Sequence, residues 1–121
     1  MAKKILIVDD ASLIRNITQR AVEEAGFEAV VASNGQEGLQ ALEKNEIDFI
    51  FSDINMPIMS GMEMIEELRN IPQYKYTPIV MLTTETKKEL QAQAKELGVK
   101  AWLVKPFNKD KFLLVLQKLL G

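Results

Sequence analysis

Near the start of the chain, Ile5-Leu6-Ile7-Val8-Asp9-Asp10 sets four apolar residues, three of them β-branched, against two carboxylates. A strand with one wet face would alternate apolar and polar side chains. An unbroken run fits a strand covered on both faces, as in a parallel sheet. Four more short apolar runs read the same way, at residues 29–32, 49–51, 79–82 and 102–104.

The segments between these runs carry helical signals. Asn34-x-x-Glu37, Ser60-x-x-Glu63 and Thr86-x-x-Glu89 match the capping box and predict the starts of the second, third and fourth helices. Leu13, Ile14, Ile17, Ala21, Val22 and Ala25 share one stripe at helical spacing, which predicts the buried face of the first helix. Gly26 and Gly98 stand where helix C-caps belong. Strands alternating with helices five times over predict a doubly wound α/β sheet with helices on both faces.

Ligands of such sheets sit beyond the carboxyl ends of the strands. Asp9 and Asp10 end the first strand, Asp53 the third, Thr83 the fourth and Lys105 the fifth. Any one of these has a bland reading, as a cap, a turn residue or a Lys with its stem on the core. Converging carboxylates, however, repel one another and call for a cation or raised pKa values. Oxygen donors without His or Cys select a hard ion, and Mg²⁺ is the natural candidate. A free carboxylate beside an ammonium, a hydroxyl and a divalent ion makes a pocket for a phosphoryl group, with Asp53 as nucleophile.

Composition narrows the alternatives. The chain has 121 residues, 47% hydrophobic and 26% charged, with a net charge of −2. That predicts one domain over residues 1–121, large enough to bury roughly two-thirds of its unfolded surface. There is no Cys and no His, which excludes disulfides, thiolate metal sites and the usual general base. The lack of Cys fits a reducing cytoplasm. The charge balance argues against nucleic acid. The apolar run at residues 5–8 is too short for a signal peptide or for the roughly 20 residues of a membrane helix. Neither G-x-x-x-x-G-K-[ST] nor G-x-G-x-x-G occurs, so a donor must arrive with its phosphoryl group already activated.

The run at residues 5–10, Asp53-Ile54-Asn55-Met56-Pro57, Thr83 after the fourth strand and Lys105-Pro106-Phe107 together resemble the receiver domain of two-component response regulators. Within that family the chain is most similar to the stand-alone chemotaxis regulators, and the likeness spans residues 4–120. The resemblance implies a five-stranded parallel sheet in the flavodoxin-like order 2-1-3-4-5. It implies that Asp53 accepts a phosphoryl group from a histidine kinase. Mg²⁺ would be held by the Asp10 and Asp53 side chains and the Asn55 backbone carbonyl, with Asp9 in the outer shell. Lys105 and Thr83 would contact the phosphoryl group, Thr83 and Trp102 would form the switch, and the Lys105–Pro106 bond would be cis. The switch position is usually Tyr or Phe, so Trp102 is a departure, as is the β-branched Thr84 after the signalling hydroxyl.

The resemblance also implies partners: the kinase as phosphodonor, a target such as a flagellar motor switch component, and a phosphatase. The protein would be a monomer with no output domain, and its catalysis would be limited to its own phosphorylation and slow dephosphorylation. Leu114 falls opposite the apolar face of the last helix, formed by Phe112, Val115, Leu116, Leu119 and Leu120, and is a candidate partner contact. An alternative within the class is a phosphorelay intermediate that feeds a histidine phosphotransfer protein. A haloacid-dehalogenase-type phosphatase would need D-x-D, and the chain reads Asp53-Ile54-Asn55, whose amide cannot shuttle a proton. A flavodoxin-like FMN carrier would place a phosphate loop where Asp9-Asp10 stands.

Overall fold

The computed structural model describes residues 2–106 and 108–120. Five strands alternate with five α-helices: β1 (Lys4–Val8), α1 (Ser12–Glu24), β2 (Glu28–Ala32), α2 (Gly35–Lys44), β3 (Phe49–Ser52), α3 (Gly61–Leu68), β4 (Ile79–Thr83), α4 (Lys88–Glu96), β5 (Ala101–Val104) and α5 (Lys109–Leu120). A 3₁₀ turn, Pro72–Tyr74, precedes β4. All neighbouring strands pair in parallel, in the order β2-β1-β3-β4-β5. The fold class expected from the sequence is the one observed.

Burial explains the unbroken apolar runs. Every residue of β3 and β4 is buried, as is residue 5–8 of β1, whereas the edge strands β2 and β5 are partly exposed. Alternate side chains feed two cores. Leu6, Val8, Ile50, Met81, Met64 and Ile65 fill the layer under α2, α3 and α4. Ile5, Ile7, Phe49, Phe51, Val80, Leu82, Phe112 and Leu116 fill the layer under α1 and α5.

Two helices end as their glycines predict. Gly26 and Gly98 take φ of 94° and 83°. Behind them Phe27 N–H donates to Val22 O and Val99 N–H to Ala94 O, the long bond of a Schellman cap.

Helix starts are less uniform. Ser60 and Glu63 form a complete capping box on α3. Asn34 caps α2 by accepting from Glu37 N–H, but the Glu37 carboxylate reaches one residue further back, to Ser33 N–H and Oγ. The box expected at Thr86 is absent, since α4 begins at Lys88 and its N-cap Lys87 makes no side-chain bond. The Glu85 carboxylate takes the Thr86 and Lys87 amides instead, at 3.1 and 3.3 Å. Of the two amides such a box would use, Thr86 N–H is thus held by Glu85 rather than by Glu89.

The predicted stripe on α1 is also too wide. Leu13, Ile17 and Ala25 are exposed, and the buried positions are Thr18, Ala21 and Val22. Thr18 can face the core because its hydroxyl donates to Ile14 O within its own helix.

Candidate functional site

Strand register assembles the site. Val8 of β1 lies beside Ser52 of β3, so the next residue of each strand, Asp9 and Asp53, emerges side by side. Asp53 N–H donates to Val8 O at 2.9 Å and Asp9 N–H to Ala32 O at 3.1 Å, which extends the ladder one step past the strands. Thr83 pairs with Val104 in the β4/β5 ladder, and Lys105 N–H donates to Thr83 O at 2.9 Å. The sheet therefore delivers Asp9, Asp53, Thr83 and Lys105 in one row along its carboxyl edge.

Lys105 ties this row together. Its Nζ donates to Asp9 Oδ2 at 2.9 Å and to Asp53 Oδ2 at 3.0 Å. Burial alone would pull its pKa down, but the bonds to the two carboxylates, and their charge, outweigh burial and hold it above the ordinary lysine value. Asp9 and Asp53 are buried and Asp10 is exposed. The second oxygen of each buried carboxylate has a backbone partner, Ala11 N–H on Asp9 Oδ1 at 2.9 Å and Ile54 N–H on Asp53 Oδ1 at 2.7 Å. Arg15 donates to the Asp9 carbonyl at 2.8 Å and braces the turn.

One carboxylate oxygen from each of Asp9, Asp10 and Asp53 falls within 4.8 Å of the others. Three carboxylates face one ammonium, leaving two formal negative charges. Hard oxygen donors carrying excess negative charge fit Mg²⁺. Asp10 reaches this cluster from the solvent side, where an ion would enter.

The edge continues into the β4–α4 loop. Thr83 is fully buried, and its Oγ1 accepts the Glu85 amide at 3.1 Å, which leaves the hydroxyl proton for another acceptor. Glu85 was not singled out by the sequence, yet it holds the loop together. Its carboxylate accepts from the exposed Asn55 side chain at 3.4 Å, and its carbonyl accepts the Trp102 indole N–H at 2.9 Å. The Asn55 bond, chiefly, and the two loop amides hold its pKa below the usual carboxylate range. Its neighbours are 30 and 17 residues away in sequence, so no local pattern could have marked it.

The other expected residues fall as follows. The Lys105–Pro106 bond is cis. Trp102 is half-buried against the α4 side of the sheet, Thr84 is exposed, and Leu114 is 65% exposed on α5. Phe107 lies outside the described residues. Among the described residues no helix is long and apolar enough to cross a membrane.

Comparison with known proteins gives a consistent picture. Residues 5–117 match the model of the response regulator receiver domain. The chemotaxis protein CheY-3 of Vibrio cholerae is 38% identical over 106 residues, covering 87% of this chain and 82% of that protein. The chemotaxis protein CheY1 of Helicobacter pylori is 34% identical over 120 residues, covering 98% and 97%. Among solved structures, the chemotaxis response regulator CheY4 of Vibrio cholerae superposes with a TM-score of 0.91 at 43% identity, covering 98% of this chain and 99% of that one. With its parallel order, its acidic edge and a family match over nearly all its length, the chain belongs to the response regulator receiver domain family.

Proposed function

We propose that this receiver domain is a phosphorylation-controlled switch in which Asp53 takes a phosphoryl group from a phosphohistidine of a histidine kinase. The observation that carries the reading is the Asp53 carboxylate, buried, 3.0 Å from the Lys105 ammonium and clustered with Asp9 and Asp10. In the transfer, an Asp53 oxygen bonds to phosphorus as the phosphorus–nitrogen bond breaks, and the imidazole leaves with the electron pair and takes up a proton. Lys105 exchanges its bond to Asp53 Oδ2 for one to a phosphoryl oxygen, and Thr83 donates its hydroxyl proton to another. Asp10, Asp53 and the Asn55 carbonyl would hold Mg²⁺, with Asp9 in the outer shell; when bound, the ion neutralises charge that builds on the phosphoryl oxygens. Asn55 cannot act as an acid or base, which favours a lasting acyl phosphate over turnover.

The output follows from the same edge. Movement of Thr83 toward a phosphoryl oxygen would pull on Glu85, and Glu85 is bonded to Trp102. A target that prefers the moved arrangement would bind the phosphorylated form. The similarity to chemotaxis proteins makes a flagellar motor switch component the first choice of target, and exposed Leu114 is the proposed contact on α5.

Acetyl phosphate with Mg²⁺ tests the reading. The protein should gain one phosphoryl group by mass, and both chelation of Mg²⁺ and Asp53→Asn should prevent it. Full phosphorylation without Mg²⁺, or of the variant, would refute the assignment.

A further inference from the structure

The main chain of Asp53 is held from behind. Ser52 is 1% exposed, and its hydroxyl donates to the Asp53 carbonyl at 2.7 Å. That carbonyl lies against the first residue of α3, Gly61, where a Cβ would overlap the Asp53 oxygen and come within 3.1 Å of Ser52 Oγ. Gly61 N–H donates to the next carbonyl, Ile54 O, at 2.9 Å. The Asp53 carbonyl therefore occupies a space that a missing side chain keeps open, with the Ser52 hydroxyl beside it. None of this touches the carboxylate.

We propose that Ser52 and Gly61 are positioning residues for Asp53, fixing the peptide from which its carboxylate projects so that an oxygen faces the donor phosphorus in line. The inference rests on the reading of Asp53 as the phosphoryl acceptor. A buried carbonyl stripped of its partner turns to find another. Turning the Asp53 peptide swings the carboxylate on its short arm, away from Lys105 and the line of attack. Metal binding tolerates such a swing, because Mg²⁺ keeps several waters and can replace a strained ligand with one more. In-line attack does not, since a displacement of about 1 Å can cost roughly a hundredfold in rate.

The two effects separate experimentally. Phosphorylation by acetyl phosphate at saturating Mg²⁺ is followed by mass, and Mg²⁺ affinity by calorimetry, for the parent, Ser52→Ala, Ser52→Thr and Gly61→Ala. Ser52→Ala should slow phosphorylation about tenfold while Mg²⁺ affinity stays within about twofold of the parent. Ser52→Thr, which keeps the hydroxyl, should recover most of the rate. Gly61→Ala, which keeps the hydroxyl but crowds the carbonyl, should slow the reaction at least as much as Ser52→Ala. If Gly61→Ala does not fold, the two Ser52 variants decide. A parental rate in Ser52→Ala would overturn the proposal, as would rate and Mg²⁺ affinity falling together. A parent labelled somewhere other than Asp53 would instead overturn the phosphoacceptor reading on which it rests.

Discussion

Ile58 carries the one positive φ among the described non-glycine residues, 69°, in the loop between β3 and α3, and its side chain is 77% exposed. Met59 N–H donates to Pro57 O at 2.7 Å across it, and Gly35 N–H holds Met59 O at 3.0 Å. The left-handed conformation costs an L-residue about 1–2 kcal/mol, and glycine would return roughly 0.5–1 kcal/mol of that as chain entropy. Ile58→Gly should therefore raise unfolding free energy by about 0.5–1 kcal/mol in urea, and a loss of stability would show that the side chain is packed after all. Lys105 makes a prediction of opposite kind. Its pKa is raised in the folded protein, so its contribution to stability is complete below the ordinary lysine value of about 10.4 and fades as pH rises through the higher folded value. Above roughly pH 10 the parent should lose more stability than Lys105→Met, and parallel curves would contradict the raised pKa. At neutral pH the same variant should bind Mg²⁺ at least as tightly as the parent, because a competing cation is gone.

The helix starts show where local sequence suffices and where it fails. Ser60 and Glu63 are three apart, nothing nearer competes for their amides, and the box forms as read. At Thr86 the same spacing fails because the helix starts two residues later, at Lys88, and Glu85 already holds the Thr86 amide that Glu89 would have taken. Ser60→Ala should cost about 1 kcal/mol, whereas Thr86→Ala should stay within about 0.5 kcal/mol of the parent. Equal losses by urea denaturation would mean that the Thr86 hydroxyl caps α4 after all. The strands were legible because both faces of a central parallel strand are covered, which forces unbroken apolar runs. The α1 stripe is wider than the buried face because helical spacing marks only which residues share a side, and Leu13 and Ile17, on one flank of it, stay exposed. Arg69 was invisible for a different reason. Its guanidinium donates to Leu97 O, Tyr74 O and Thr77 O, fastening the end of α3 to the end of α4 and to the approach to β4, and these partners stand 28, 5 and 8 residues away in sequence.

At the scale of the molecule, a buried row of charge at the sheet edge is joined to an exposed face through three bonded residues. Thr83 Oγ1 holds the Glu85 amide, and the Glu85 carbonyl holds the Trp102 indole. The strand-end residues of this chain were legible because the fold class says where to look, while the Glu85 link between them was not. Trp102 is the sole tryptophan, so emission reports on the link directly. Beryllofluoride with Mg²⁺ should change the accessibility of Trp102 to acrylamide relative to Mg²⁺ alone, and identical quenching in the two states would exclude this residue as the moving part. All of this depends on Asp53 accepting the phosphoryl group. Treating the phosphorylated protein with borohydride reduces an acyl phosphate to an alcohol, and peptide sequencing then locates it. The account predicts reduction at residue 53 alone, dependent on Mg²⁺ during phosphorylation; reduction at Asp9 or Asp10, or none in a protein that carries the label, would contradict it.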